Sequence, residues 1–329
     1  MRTIGRVVVA ALVVALLGCG SSGDGTSGSD RTSPPMGDLS VNETVQVGDG
    51  PIQRAIAGGQ IAIAGDAAWV TDAADGTVVR IDSDGRREAV SVGEAPSGIA
   101  SSGDALWVAL AAETASEDGS VVRVDVDGLE VSDPIPVAPW PVGVAVADGA
   151  VWVTSSGGGG RLTRIDAETM EVTDAVDLSQ IVWDLALTDD AVWVASPGGN
   201  AVLKIDIDDL VVSDTIAVDG QPRDLAVSDD AVWASGDSLW RISRSGDQVT
   251  DVRLPDSDLC GVLATSSAVF VADHGADEVW RVRPEDGIPT GDVSVGDGPC
   301  GLASYRDAIL VVNGVEGTVS QIGPAVLPD

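Results

Sequence analysis

Residues 188–196 read TDDAVWVAS, and the same phrase returns as SDDAVWASG at 228–236, ADGAVWVTS at 147–155 and SGDALWVAL at 102–110. Lined up on its large apolar residue, the phrase occurs seven times, at Trp69, Trp107, Trp152, Trp193, Trp233, Phe270 and Leu310, with intervals of 37 to 45 residues. A unit that short cannot bury its own apolar face, so successive units must stack on one another. This periodicity restricts the chain to a repeat architecture before any other property is considered.

Each unit contains four short runs. About seven residues before the anchor, a run ends on a small or apolar residue, as in SGIA (97–100), VGVA (142–145), WDLA (183–186), RDLA (223–226), CGVL (260–263) and CGLA (300–303), and more loosely in GQIA (59–62). After the anchor come VVRID (78–82), VVRVD (121–125), LTRID (162–166), VLKID (202–206), LWRIS (239–243) and VWRVR (279–283). A turn rich in Asp and Gly then leads to a fourth run such as EAVSVG (88–93) or SDTIAV (213–218). Run length, β-branched content and Gly/Asp punctuation all indicate strands. Four antiparallel strands per repeat make a propeller blade. The last repeat stops without a fourth strand, whereas ETVQVGDGP (43–51) matches REAVSVGEAP (87–96) but precedes the first complete repeat. The expected fold is therefore all-β, a seven-bladed β-propeller over 41–325 with Velcro closure by the N-terminal strand, which leaves no blade incomplete.

The phrase V-G-x-x-P-x-G-[IL]-A, as in VGEAPSGIA (92–100) and VGDGPCGLA (295–303), resembles that of YVTN-type surface propellers. The whole unit also resembles the repeats of streptogramin lyase-like proteins, over essentially all of 43–323. The resemblance implies a fold more than an activity, because such propellers host many functions.

The N-terminus indicates an address. Arg2 and Arg6 precede an apolar run, Val7 to Leu17, too short to span a bilayer and built like an export signal. Its ending, Leu16-Leu17-Gly18-Cys19, resembles a bacterial lipobox. That likeness implies cleavage of residues 1–18 and acylation of Cys19, palmitate among the chains, which would anchor stably as multiple chains do. A plain secretory signal is the alternative. Residues 19–40 are mostly Gly, Ser, Asp and Pro. They read as a flexible tether with a reach of about 25 Å, and residues 326–329 form a short C-terminal tail. The expected location is extracytoplasmic, on the cell membrane through lipid alone.

A net charge of −34 disfavours nucleic acid, whose binding needs clustered Lys and Arg to displace counterions. It also disfavours a face docked on anionic lipid. Solubility in a crowded envelope accounts for such a charge without any ligand.

The recurring Trp suits core packing between blades. A basic residue recurs in the third strand as Arg80, Arg123, Arg164, Lys204, Arg241 and Arg281, and four of these have an Asp two positions on: Asp82, Asp125, Asp166 and Asp206. Spacing on one strand face suggests a structural set of ion pairs and hydrogen bonds rather than a binding surface. DSDG (82–85) and DVDG (125–128) lack the spaced glutamate of a calcium loop and suit hairpin turns.

Function should lie where the repeats differ. The entrance to the innermost strand reads Gly59, Ser97, Val142, Trp183, Arg223, Cys260 and Cys300 through the seven blades, with Trp140 nearby in the third. The loops after the second strand add Asp72, Asp75, Glu113, Glu117, Asp118, Asp237, Asp273, His274, Asp277, Asn313 and Glu316. An acidic rim with an aromatic sector and one arginine suits a cationic or sugar-like ligand, although loops of an acidic protein are acidic in any case. Trp183, Asp184, Arg223 and Asp224, with Trp140, are the candidate ligand-binding residues. Trp offers a flat apolar platform, and Arg a donor fork for a carboxylate or sugar hydroxyl. The competing account is that Trp183 only packs over the channel and Arg223 pairs with nearby acids. Cys260 and Cys300 stand one repeat apart in an exported domain, so either a disulfide or two small buried thiols is possible, depending on whether neighbouring inner strands bring the Cα atoms close enough.

Two functions remain open. The resemblance to streptogramin lyases implies metal-assisted β-elimination at the channel mouth, with magnesium, Glu and more than one His. This chain has one histidine, His274, beside Asp273. These two are the only catalytic candidates, and the carried-over mechanism lacks a second histidine. No Ser-His-Asp spacing, phosphate-cradling loop or Cys/His metal cluster stands out. The other reading is a monomeric, non-catalytic binding or interaction module without cofactor or metal, presenting its open face to an envelope peptide, glycan or protein.

Overall fold

In the computed structural model the described residues are 39–53, 59–112, 114, 117–255 and 258–324. The export signal, Cys19, most of the tether, Glu113 and the C-terminal tail lie outside them. Seven separate four-stranded sheets make up the chain. Blades 1 to 6 span 61–91, 96–137, 141–177, 185–217, 222–252 and 259–294, each a simple antiparallel meander from the channel outward. Blade 7 takes its inner three strands from Pro299–Tyr305, Ala308–Asn313 and Thr318–Pro324, and its outer strand from Leu39–Gln46 at the other end of the chain. The closing strand begins earlier than the sequence pattern indicates and pairs from Leu39 opposite Pro324 to Gln46 opposite Thr318. This is the expected seven-bladed, Velcro-closed propeller. Among the described residues no helix is long and apolar enough to cross a membrane.

The second strand of each blade is buried on both faces, as in Ala191–Ser196 and Ala231–Gly236. Its side chains alternate between the two neighbouring blades. Trp193 packs with Val202 and Ile216 of its own blade against Leu225, Val232 and Trp240 of the next. Trp69, Trp152 and Trp233 do the same at their own blade junctions. The core is therefore a ring of inter-blade layers, and each repeat contributes one half of two layers.

The recurring basic residue sits directly across the ladder from the Trp of its blade, as in Trp69 opposite Arg80, Trp152 opposite Arg164, Trp193 opposite Lys204 and Trp233 opposite Arg241. Its cation lies over the indole at 5.2 to 6.0 Å from the ring centre in these four blades, a cation–π contact. Its ion-pair partner is not the Asp two positions on. Arg80, Arg123, Lys204 and Arg241 reach instead to Asp66, Asp104, Asp190 and Asp230, in the turn before the Trp strand. The set is one of structural ion pairs and hydrogen bonds, as expected, but its basic and acidic members do not pair with each other, because the next turn claims those Asp side chains. Asp82 accepts the N–H groups of Asp84 and Arg86, Asp125 that of Gly128, Asp166 those of Glu168 and Thr169, and Asp206 those of Asp208 and Asp209. A short carboxylate reaches backbone donors two and three residues on more readily than a long cation on the same face.

Candidate functional site

Where the inner strands converge, a cavity of about 390 Å³ opens at the channel mouth. Trp183, Asp184, Arg223, Asp224, Cys260, His274 and Cys300 all line it. Trp140 does not. It lies outside this lining, partly exposed, on a backbone with φ of 53°. Its position in APWPVG, between two prolines, turns the chain before the third blade begins and carries the ring away from the mouth.

The segment bearing Trp183 is held by its neighbours. The hydroxyls of Thr154 and Ser156, at the end of the second strand of blade 3, donate to the carbonyls of Trp183 and Val182. Thr71 donates likewise to the Ser97 carbonyl at 3.2 Å, and Ser235 to that of Cys260 at 3.1 Å. Strand ends in one blade thus fix the entrance of the next. Arg223 stacks 5.9 Å from the Trp183 ring centre. Its Nη1 donates to Asp258 Oδ1 at 2.5 Å, and Nη2 lies 3.9 Å from Asp237 Oδ1. Its fork is already engaged, so the guanidinium is a braced wall of the mouth.

Asp184 and Asp224 occupy a special tier. The equivalent residue is Gly98, Gly143, Gly261 and Gly301 in four other blades and Gln60 in the first. Glycine is required in most of these because adjacent inner strands nearly touch: a Cβ on Gly261 would strike the Cys300 carbonyl, and one on Gly98 that of Val142. Blade 4 relaxes the constraint, since its inner strand runs only over Leu185–Leu187. The carboxyls of Asp184 and Asp224 hydrogen-bond each other there. Asp224 Oδ1 accepts Leu225 N–H at 2.8 Å and Oδ2 accepts Val262 N–H at 2.7 Å, which ties blade 5 to blade 6. Burial, and then the neighbouring Asp224 charge, raises the Asp184 carboxyl well above the ordinary carboxylate range; burial raises Asp224 as well. Two buried carboxylates in contact disfavour a double charge, and Asp224, whose two oxygens accept backbone N–H groups, is the better placed to carry the charge.

The structure bonds Cys260 to Cys300, with Cα atoms 4.9 Å apart, so the inner strands of blades 6 and 7 are close enough for a bridge. His274 faces the cavity and donates its backbone N–H to the Asp258 carbonyl at 2.9 Å. Gly298 leaves room for its imidazole, which a Cβ would crowd at 3.2 Å. Asp273 is fully buried, its Oδ1 accepting the N–H groups of Asp258, Gly275 and Ala276. It therefore shapes the His274 loop. Asp72 plays the same part in its own loop, accepting from Ala74 and Asp75, and Asn313 is buried against Thr318 and Ser320. Asp72 and Asp273, expected in the acidic rim, are thus loop braces, because loops leaving a buried strand need internal acceptors for their N–H groups, whereas Asn313 donates to the Thr318 and Ser320 hydroxyls. Among the described residues no three His, Cys, Asp or Glu side chains converge as cation ligands. Sequence reasoning missed Gln53 and Gln60 in the lining. Gln60 was legible as the odd residue at the glycine tier, whereas Gln53 comes from outside the repeat.

Fold and site together define a seven-bladed propeller with an aromatic, acidic channel mouth. No family model and no curated protein matches the chain. Among solved structures it is similar to virginiamycin B lyase from Staphylococcus aureus, at 16% identity, TM-score 0.70, covering 87% of this chain and 99% of that one. A streptogramin B lyase structure matches at 14% identity and TM-score 0.72 over 89% of this chain and 100% of that one. Hydrazine synthase of Kuenenia stuttgartiensis matches at 16% identity and TM-score 0.73, over 85% and 98%. At such identities the likeness shows the propeller fold, shared by proteins of different activity.

Proposed function

We propose that the chain is a lipid-anchored extracytoplasmic propeller that binds, without catalysis, a cationic group of an envelope peptide or protein at its channel mouth. The observation that carries this reading is the engagement of Arg223 by Asp258. With Arg223, the one arginine among the described lining residues, paired to Asp258, the mouth keeps uncompensated negative charge from Asp237 and the Asp184–Asp224 pair beside the Trp183 ring, which favours a cation over a carboxylate. This revises the role expected of Arg223, from ligand contact to brace. Calorimetric titration with a lysine-rich peptide tests it. Trp183→Ala should weaken binding about tenfold, in line with a desolvated cation–π contact, while thermal stability barely changes. Equal affinity of the variant, or tighter binding of an acidic peptide, would overturn the reading.

The lyase reading rests on His274 in the cavity and on the likeness to the streptogramin lyases, one of which is described as a catalytically inactive histidine-to-alanine variant with quinupristin. Against it stand the single histidine of the chain and the burial of Asp273, whose Oδ1 is engaged by its own loop. Chromatography of quinupristin after incubation with the protein and magnesium decides between them: ring opening abolished by His274→Ala would replace binding by catalysis. The anchor is tested separately. Cys19→Ser should move the protein from the membrane to the soluble fraction or leave an unprocessed precursor, and unchanged fractionation would remove the lipid from the proposal.

A further inference from the structure

A second cavity, of about 420 Å³, lies away from the channel, between blades 2 and 3. Its origin is legible in the repeat. The residue just before each recurring basic residue faces the preceding blade, where Val79, Val122, Leu203 and Trp240 are buried and Trp280 packs. In blade 3 that position is Thr163, small and polar. The blade that should cover it falls short as well. DPIPVAPWP (133–141) limits the outer strand of blade 2 to Ile135–Val137, because proline removes ladder donors. Two departures from the repeat therefore coincide at one place.

Thr163 is 2% exposed and lines this cavity, and its buried hydroxyl has no hydrogen-bond partner among the described residues. Ser320, the only other hydroxyl at this position, instead accepts from Asn313 at 2.9 Å. Above Thr163 on the same face, Arg161 Nη1 meets Asp177 Oδ1 at 2.5 Å, so a donor fork and an acceptor pair are held side by side at the rim. The rim continues as Gly157 to Gly160. A Cβ on Gly158 would meet nothing within 4 Å, so packing does not require glycine there; its φ of 69° does, and the backbone is left bare toward the opening. Pro136, Pro139, Val172 and Ala175 supply flat apolar walls.

We propose that this cleft is a second ligand site that takes a neutral pyranose saccharide, with Thr163 and the Arg161–Asp177 pair as its polar contacts. An anion is disfavoured because Arg161 is already matched by Asp177 and Asp118 adds negative charge. A purely apolar ligand would leave Thr163 and the ion pair without partners, at a cost. A sugar ring has apolar faces for the proline and valine walls, and its vicinal hydroxyls both donate and accept, as the buried hydroxyl and the paired fork require.

Calorimetric titration of the full-length protein with maltose, cellobiose and N,N′-diacetylchitobiose provides the test. At least one should bind. Thr163→Val keeps the shape and removes the hydroxyl, so affinity should fall about tenfold, the loss of one hydrogen bond from a desolvated site. Thr163→Leu fills the cleft as Leu203 fills its own and should abolish binding, while both variants melt no lower than the parent because a buried unpartnered hydroxyl is gone. Trp183→Ala should leave saccharide affinity unchanged. Absence of binding by all three sugars, full binding by Thr163→Leu, or loss of it through Trp183→Ala would each overturn the site.

Discussion

Asp224→Asn lowers the unfolding free energy by about 2–3 kcal/mol, whereas Asp184→Asn changes it by less than about 1 kcal/mol at neutral pH. The two residues hold the same tier of the propeller with their carboxyls in contact, so the asymmetry comes from what each must do. Protonated, Asp184 donates to Asp224; an amide donates in its place and keeps an acceptor oxygen. Asp224 accepts Leu225 N–H on one oxygen and Val262 N–H on the other. An asparagine in place of Asp224 would keep one acceptor and turn an NH2 group toward the remaining backbone donor, leaving a buried N–H without a partner. The pH dependence separates this account from simple packing. The Asp184 carboxyl is raised above its ordinary value in the fold. Between the ordinary and the raised value the folded protein therefore binds more protons than the unfolded chain, and stability declines as pH rises through that window. That contribution is complete below the ordinary carboxylate range and lost above the raised value. Asp184→Asn removes the Asp184 part of this decline and leaves that of the buried Asp224, so its advantage over the parent should grow as pH rises across the window. Denaturant unfolding at several pH values measures it, and equal losses from both variants would sink this assignment of roles.

Reduction of the Cys260–Cys300 bridge should cost about 4 kcal/mol, the loop-closure value for a cross-link across 40 residues. The location makes the effect informative. The bridge joins the inner strands of blades 6 and 7, next to the blade that the N-terminal strand must complete. Because blade 7 is assembled from both ends of the chain, its closure bears the largest entropic cost of any blade. Reduction should therefore lower the denaturant midpoint and expose blade 7 amides to exchange before those of blades 3 and 4. Two titratable thiols in the denatured, unreduced protein, or exchange that quickens evenly around the ring, would contradict this.

The sequence alone determined the architecture. Repeated Trp strands at near-constant intervals, the punctuation of each turn, and the displaced strand at 43–48 specify seven blades and their closure, because each repeat is locally consistent and can bury its residues only against its neighbours. It also indicated the channel mouth, since Trp183, Asp184, Arg223 and Asp224 depart from the small residues of the other blades at a position the repeat aligns. What only the tertiary structure decided were the partners. Arg223 meets Asp258 across a blade boundary, Asp184 hydrogen-bonds Asp224 of the next repeat, and Asp82 turns to its own hairpin rather than to Arg80. The cleft beside Thr163 was likewise invisible, although the threonine and the prolines were in view, because it arises from two weak repeats meeting face to face. Periodicity reports which way a side chain points along one strand; hydrogen bonds, shared protons and voids depend on distances of a few ångströms between separate blades, and only packing sets those.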